Sequence, residues 1–332
     1  MPEAILQSAL YPVVSRAIYA MTALGIPDIL KTSSRSAADL SLTLGVKERY
    51  LRQILRLVST TDLLQTENDG RFSLTESGKF LQSGHPQAAK DFILTLGGPT
   101  WYKGLGATLE VLRTERPGIE IANGKPLFEY YASNPEEAES FNRMMVAIHG
   151  SEPEAVASAY NFAQTGHVVD IGGGIGGMLT AVLTSSPDNT GTLFDLPHVI
   201  TAAKEALADS AVSERCQFAE GDFFSAVPEG GDTYLLSHII HDWDDDDSVR
   251  ILQNCKDAMN PDGRVILVEF VVPENDDPHL FKILDVMIGI CCNGSERTES
   301  EYADLARAAG LRLTRVTPTN SLVSIIELEV AR

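Results

Sequence analysis

The segment that most restricts the fold is Asp170-Ile-Gly-Gly-Gly-Ile-Gly-Gly177, which follows the short apolar run His167-Val-Val-Asp-Ile171 and opens a helical stretch. A run of this length reads as a buried strand, and glycines directly after it let the chain turn tightly and a ligand approach the backbone. Gly172, Gly174 and Gly177 satisfy the G-x-G-x-x-G spacing of a nucleotide-binding turn. Similar apolar runs recur at 192–194, 233–237 and 265–268, with helical stretches between them. Such alternation predicts a Rossmann-like α/β domain: a mostly parallel sheet covered on both faces, with ligands at the carboxyl ends of its strands. Residues 311–317 and 321–330 have no helix between them, so the last strand is expected to enter antiparallel.

The first third has a different rhythm. Apolar residues recur at helical spacing through Ile18, Met21, Leu24, Ile29 and Leu30, then through Leu40, Leu44, Leu51, Ile54, Leu55 and Val58. Ser36 with Asp39 three residues on reads as a helix start. Two short extended pieces around Glu67-Asn-Asp-Gly70 read as a hairpin, which completes the outline of a winged helix. We expect a winged-helix domain over 1–95, a helical segment over 96–160 that contributes to an acceptor pocket, and the α/β domain over 161–332. Residues 6–30 are expected to form one apolar helix with too few polar positions for a solvated face, and hence to pair two copies as a homodimer.

Charge decides what a winged helix is for here. Lys47, Arg49, Arg52 and Arg56 could face a DNA groove. The whole chain, however, carries a formal charge of −20, and phosphate binding draws on clustered Lys and Arg. Packing or dimerisation is therefore the expected role, and no nucleic-acid partner is expected. The four cysteines lack metal-ligand spacing, so no metal is expected, and reduced thiols fit a cytoplasmic setting. No uncharged apolar window reaches the length of a membrane span.

An acid distinguishes the ligand. Asp170 stands at the mouth of the glycine turn, where it would repel the pyrophosphate of a dinucleotide. S-adenosylmethionine has no phosphate, and its methionyl end carries an ammonium and a sulfonium, so an acid is compatible there while backbone N–H groups meet its carboxylate. Asp195, next to Leu196, is placed to accept from both ribose hydroxyls. Asp222 could accept from the adenine amino group and Phe223 could lie on the ring; the alternative is that Asp222 caps a turn and Phe223 is core. Phe224 reads as core, and so does His238, packed against the sheet. The acidic run from Asp244 to Asp247 reads as a solvated helix start.

Val168-Val-Asp-Ile-Gly-Gly-Gly-Ile-Gly-Gly177, Phe194-Asp-Leu-Pro197, Gly221-Asp-Phe-Phe224, His241-Asp-Trp243 and Glu296-Arg-Thr-Glu299, in this order, resemble the S-adenosylmethionine-dependent O-methyltransferases that include plant caffeate and isoflavone enzymes and bacterial hydroxylase-like relatives. The resemblance implies a class I methyltransferase domain behind a winged-helix dimerisation domain. It implies a cofactor site of Asp170, Gly172, Gly174, Asp195, Leu196, Asp222 and Phe223, with Ser237 where the family often has Lys. It places the catalytic base on His241, flanked by Glu269 and Glu296. The loop from Asn293 to Glu296 lacks the proline and second glycine that plant members often carry there. Trp101, Phe141 and Met145 are candidate walls for a flat acceptor, a small aromatic or polyketide-like metabolite, with Asp242, Asp285 and Asn293 near the base. Three rivals remain: a relative with remodelled chemistry (decarboxylase, hydroxylase or cyclase), a DNA-binding regulator, and an NAD-dependent oxidoreductase.

Overall fold

The structure is a computed structural model that describes residues 2–86, 89–164 and 166–331. It divides into two compact units, Met1–Glu110 with Gly118–Ile148 and Val111–Pro117 with His149–Arg332. The stretch 96–160 is thus shared between the units instead of standing alone.

In the first unit the amino-terminal helix runs from Glu3 to Ala23 and a second short helix from Ile26 to Ile29. The single helix expected over 6–30 is broken because Gly25 adopts a left-handed φ of 69°, which ends the first helix. Helix Ala37–Leu44 starts as expected, with Ser36 Oγ accepting from Asp39 N–H and the Asp39 side chain reaching back. Helix Glu48–Val58 follows, then strands β1 (Leu64–Thr66) and β2 (Phe72–Leu74), paired antiparallel with Leu64 opposite Leu74. Met21, Ile26, Leu40, Leu51, Leu55, Val58 and Phe72 close one core, the winged-helix arrangement expected. Ile5, Leu6, Leu10, Tyr11 and Val13 on the first helix remain exposed in the single chain.

The second unit is built on β3 (His167–Ile171), β4 (Thr190–Asp195), β5 (Cys216–Glu220), β6 (Thr233–Ser237) and β7 (Arg264–Glu269), which are parallel neighbours in the order β5-β4-β3-β6-β7. A two-stranded parallel pair, β8 (Val271–Val272) with β9 (Arg297–Thr298), lies outside this sheet. Strand β10 (Leu311–Pro318) forms the far edge, and β11 (Ser324–Val330) inserts antiparallel between β7 and β10. Side chains alternate between two cores, as the period of a strand requires. Val168, Leu235, Ile266 and Val268 face the helices Gly177–Ser185 and Pro197–Leu207, whereas Val169, Tyr234, Leu236, Val265 and Leu267 face Asp245–Ala258 and Glu299–Ala308. Asp170 has the parity of Val168, so the fold directs its carboxyl toward an apolar layer. No helix among the described residues is long and apolar enough to cross a membrane.

Candidate active site

The candidate residues gather at the carboxyl ends of β3, β4, β6 and β7. After β3 the backbone turns through Gly172 (φ 67°) and Gly174 (φ 58°) into the helix at Gly177. A Cβ on Gly172 would stand 2.5 Å from Ile239 Cδ1, and one on Gly173 would stand 2.7 Å from Asp170 Oδ2, so any larger residue at either position would displace Ile239 or Asp170. A cavity of about 190 Å³ opens there, lined by His149, Glu152, Asp170, Gly172, Ser237 and His238 among others.

Asp170 is 1 % exposed, and its Oδ2 has no hydrogen-bond partner. Burial pushes its pKa up to about 7, opposed by the Leu179 N–H and assisted by nearby Asp195. Asp195 accepts Gly174 N–H at 2.9 Å through Oδ2 and Leu196 N–H at 2.7 Å through Oδ1, which fixes its carboxylate against the turn. Leu196 itself is exposed. Asp222 is exposed and its Oδ1 accepts Phe224 N–H at 2.9 Å, so in this structure it caps a turn. Phe223 packs edge-on against Phe224 and Trp243, and Phe224 lies under Arg250.

At the other end of the same edge, His241 lies on a one-turn helix after β6. Its Nδ1 is 3.1 Å from Glu296 Oε1 and 3.8 Å from Glu269 Oε2, and its Nε2 is 3.5 Å from Asp242 Oδ1. Both glutamates are buried, Glu269 at the end of β7 and Glu296 just before β9. Burial alone would lower the His241 pKa, but Glu269, Glu296 and Asp242 outweigh it and hold the ring well above its usual value. Burial raises the Glu269 carboxyl in turn, while its Oε1 accepts Ile239 and Ile240 N–H.

The loop holding His241 is pinned from below. Arg297, 2 % exposed, donates to Ile240 O at 2.9 Å, to Trp243 O at 2.8 Å and to Asp245 Oδ1 at 2.9 Å. Ser295 N–H donates to His241 O at 2.8 Å, and Asp285 Oδ1 accepts Glu296 N–H at 3.0 Å. Asn293 is exposed with a φ of 68° and ends the helix Leu280–Cys292 as its cap. Thus Asp285 and Asn293 set the course of the chain into Glu296. Asp244 caps the next helix through Asp247 N–H at 2.9 Å, in keeping with the acidic run read as a helix start.

The first unit holds the aromatic candidates. Trp101 is buried with Nε1 2.9 Å from Tyr131 Oη, half-buried Phe141 lies 5.1 Å from the Tyr131 ring, and Met145 is half-buried.

Two residues of the cavity escape a motif reading. Glu152, 1 % exposed in the first turn of helix Glu152–Ala159, lies 2.9 Å from His149 Nδ1 and 2.8 Å from His238 Nε2 through one oxygen, Oε2. His238, expected to pack against the sheet, instead adopts a left-handed φ of 54°, turning its ring into the cavity toward Glu152. Among the described residues the geometric groups able to hold a cation are this trio and His238 with His241 and Glu269.

Comparison with known proteins gives the lineage. Residues 6–84 match an O-methyltransferase dimerisation domain and residues 102–312 an O-methyltransferase domain. Phenazine O-methyltransferase PhzM of Lysobacter antibioticus is 35 % identical over 95 % of this chain and 92 % of its own length. Aclacinomycin 10-hydroxylase RdmB of Streptomyces purpurascens is 32 % identical over 91 % of this chain and 82 % of its own. The O-methyltransferase NcsB1 from neocarzinostatin biosynthesis, solved with S-adenosylmethionine and 2-hydroxy-5-methyl naphthoic acid, superposes with a TM-score of 0.78 at 30 % identity, over 97 % of this chain and 96 % of that one. With a parallel sheet, an antiparallel last strand and a glycine turn flanked by acids, the chain belongs to the S-adenosylmethionine-dependent O-methyltransferase family.

Proposed function

We propose that the protein methylates a phenolic or similarly acidic hydroxyl of a small aromatic or polyketide-like metabolite, with His241 as general base, acting as a homodimer in the cytoplasm. The cofactor supplies an electrophilic methyl group on a cationic sulfur. The residues present fit it: the turn Gly172–Gly174 lines the cavity, with open space where a Gly174 side chain would stand, and buried Asp170 on the same wall keeps an unpartnered oxygen. Asp195 would receive the ribose hydroxyls on the lone pairs that Gly174 and Leu196 leave free, and Phe223 would flank the adenine. Ser237, at the end of β6 and on the cavity wall, would complete that contact in place of the family's Lys.

The observation that carries the reading is the setting of His241. With Nδ1–H donated to Glu296, the Nε2 lone pair is the site that takes the acceptor's proton. The flanking acids raise the ring's basicity toward the ~10 of a phenol, so the proton passes between groups of similar affinity. Glu269 and Glu296 then face an imidazolium, and their charge stabilises it. Trp101, Phe141 and Met145 supply apolar and aromatic surface suited to a flat acceptor, and Asp242 stands beside Nε2. The exposed apolar stripe of the first helix supports pairing of two copies, and the absence of metal-ligand spacing among the four cysteines agrees with a reducing compartment.

The test is transfer itself. Protein incubated with methyl-labelled S-adenosylmethionine and a panel of hydroxylated aromatics should place label on oxygen and release one S-adenosylhomocysteine per product. Label on nitrogen, or a hydroxylated or decarboxylated product formed without S-adenosylhomocysteine, would overturn the reading and favour a remodelled chemistry such as that named for the 10-hydroxylase relative.

A further inference from the structure

The cavity beside the glycine turn is walled by two buried carboxyl groups whose hydrogen-bonding capacity its own residues do not fill. Glu152 lies on one wall and Asp170 on another, each 1 % exposed, and each has a buried oxygen with no partner, Oε1 and Oδ2 respectively. A buried carboxylate oxygen without a donor is costly, so its retention calls for a ligand that satisfies it. The other oxygen of Glu152 is fully engaged. His149 and His238 approach Oε2 from two sides, and their rings lie 4.2 Å apart.

We propose that Glu152 is the counter-ion for the primary ammonium on the methionyl arm of S-adenosylmethionine, and that His149 and His238 are positioning residues that hold its carboxylate for this contact. The inference rests on the reading that this arm lies along the glycine turn. Two ring N–H groups fix Oε2 and leave Oε1 free to accept from a donor in the cavity. Burial would raise the Glu152 pKa, yet the two histidines hold it well below the usual carboxylate range, so the negative charge persists. Burial lowers the His238 pKa, which keeps that ring a neutral donor that does not cancel the charge. An ammonium brings three N–H donors, enough for Oε1 of Glu152 and Oδ2 of Asp170 together. A carboxylate or phosphate at the same place would meet two acids.

A divalent cation is the competing occupant, because His149 Nδ1, Glu152 Oε2 and His238 Nε2 converge. Both ring nitrogens already face Oε2 at hydrogen-bond distance, and a metal would have to replace both protons.

The test uses titration calorimetry of the full chain with S-adenosylhomocysteine and with its desamino analogue, which keeps the carboxylate and lacks the ammonium. Wild type should prefer S-adenosylhomocysteine by about tenfold or more. Glu152→Gln, which retains an oxygen for the histidines, should lose that preference while binding the desamino analogue within about twofold of wild type. Equal preference in both proteins would overturn the proposal while leaving the cofactor site intact. Equal weakening of both ligands would make Glu152 structural and also overturn it. Failure of wild type to bind either compound would sink the placement of the arm, and the proposal with it. Stoichiometric zinc retained after purification by wild type and lost in Glu152→Gln would assign the trio to a metal and overturn it as well.

Discussion

The two ends of one sheet edge bury acids in opposite ways. At the glycine turn, Asp170 in β3 and Glu152 on the preceding helix each keep a buried unpartnered oxygen, as Glu269 and Glu296 do at the other end, and there two histidines approach the one carboxylate of Glu152. At the carboxyl ends of β6 and β7 two acids, Glu269 and Glu296, converge on the one ring of His241 and raise its affinity for a proton. The first region is arranged to receive a cation from outside, and the second makes its own. Methyl transfer from a cationic sulfur to a phenol asks for both: a site that welcomes positive charge, and a base whose protonated form is stabilised. Substitutions at the second end should therefore change turnover and spare cofactor binding, whereas substitutions at the first should do the reverse or change stability.

The largest effect is expected at His241. His241→Ala removes the proton acceptor without touching the glycine turn, so turnover should fall by ~10²–10⁴ while S-adenosylhomocysteine affinity stays within about twofold. Rates of S-adenosylhomocysteine release with an accepted phenol, together with calorimetry, check this. A turnover near that of wild type would show that alignment alone drives the reaction.

A smaller effect should appear in the pH profile of Glu296→Gln. Glu296 is among the groups that raise the His241 pKa, so replacing its charge with an amide should lower the ring's pKa. A base works when unprotonated; the rising limb of kcat/KM should therefore move to lower pH, and the maximum should drop by about tenfold as the imidazolium loses its stabilising charge. A limb that stays in place would assign the wild-type limb to the acceptor or to another group.

How much of this was legible differs between the same two regions. Strand limits at β3 and β6 could be read directly from apolar runs, because a buried parallel strand is apolar without interruption. The Ser36 cap was visible for a similar reason: its two partners are three residues apart. The break at Gly25 was not, since periodicity records which side chains are apolar and carries no φ. At the site, His241, Glu269 and Glu296 were named through a resemblance, and the meeting of His241 with Glu296 across 55 residues of sequence is a product of the fold. Glu152 had no such help. In sequence it is one of two acids in the first turn of an ordinary helix, and its partner His238 is 86 residues away. The signal that reveals it is an orphaned oxygen, which exists only after folding. Asn293 shows another limit: the sequence offers it as an acceptor contact near Glu296, and only the fold shows that its backbone also ends a helix.

The smallest effect concerns stability at the glycine turn. Asp170 has a folded pKa of about 7 against an ordinary value of 3.8. A carboxyl whose pKa rises on folding favours the native state at low pH, where it is protonated in both states. That contribution declines as pH rises from about 4, and it is gone above about 7, where the buried group must ionise. Asp170→Asn keeps the shape and removes the ionisation. A tenfold change in an acid's ionisation constant corresponds to ~1.4 kcal/mol, and the buried amide carries its own desolvation cost of ~1–3 kcal/mol. The rise from 3.8 to about 7 puts the net gain on the order of 1–3 kcal/mol at pH 8, or about 2–12 °C in Tm, whereas at pH 4 only the amide's cost remains and the variant should be less stable than wild type by about 1–3 kcal/mol. Melting curves of both proteins at the two pH values decide it. A variant that gains equally at both would place the benefit outside the carboxyl's ionisation, and one that gains at neither would mean that Asp170 is already neutralised in solution. If the gain appears together with weaker S-adenosylhomocysteine binding, the buried acid is a feature that the fold tolerates at a cost in stability because the cofactor's positive end requires it.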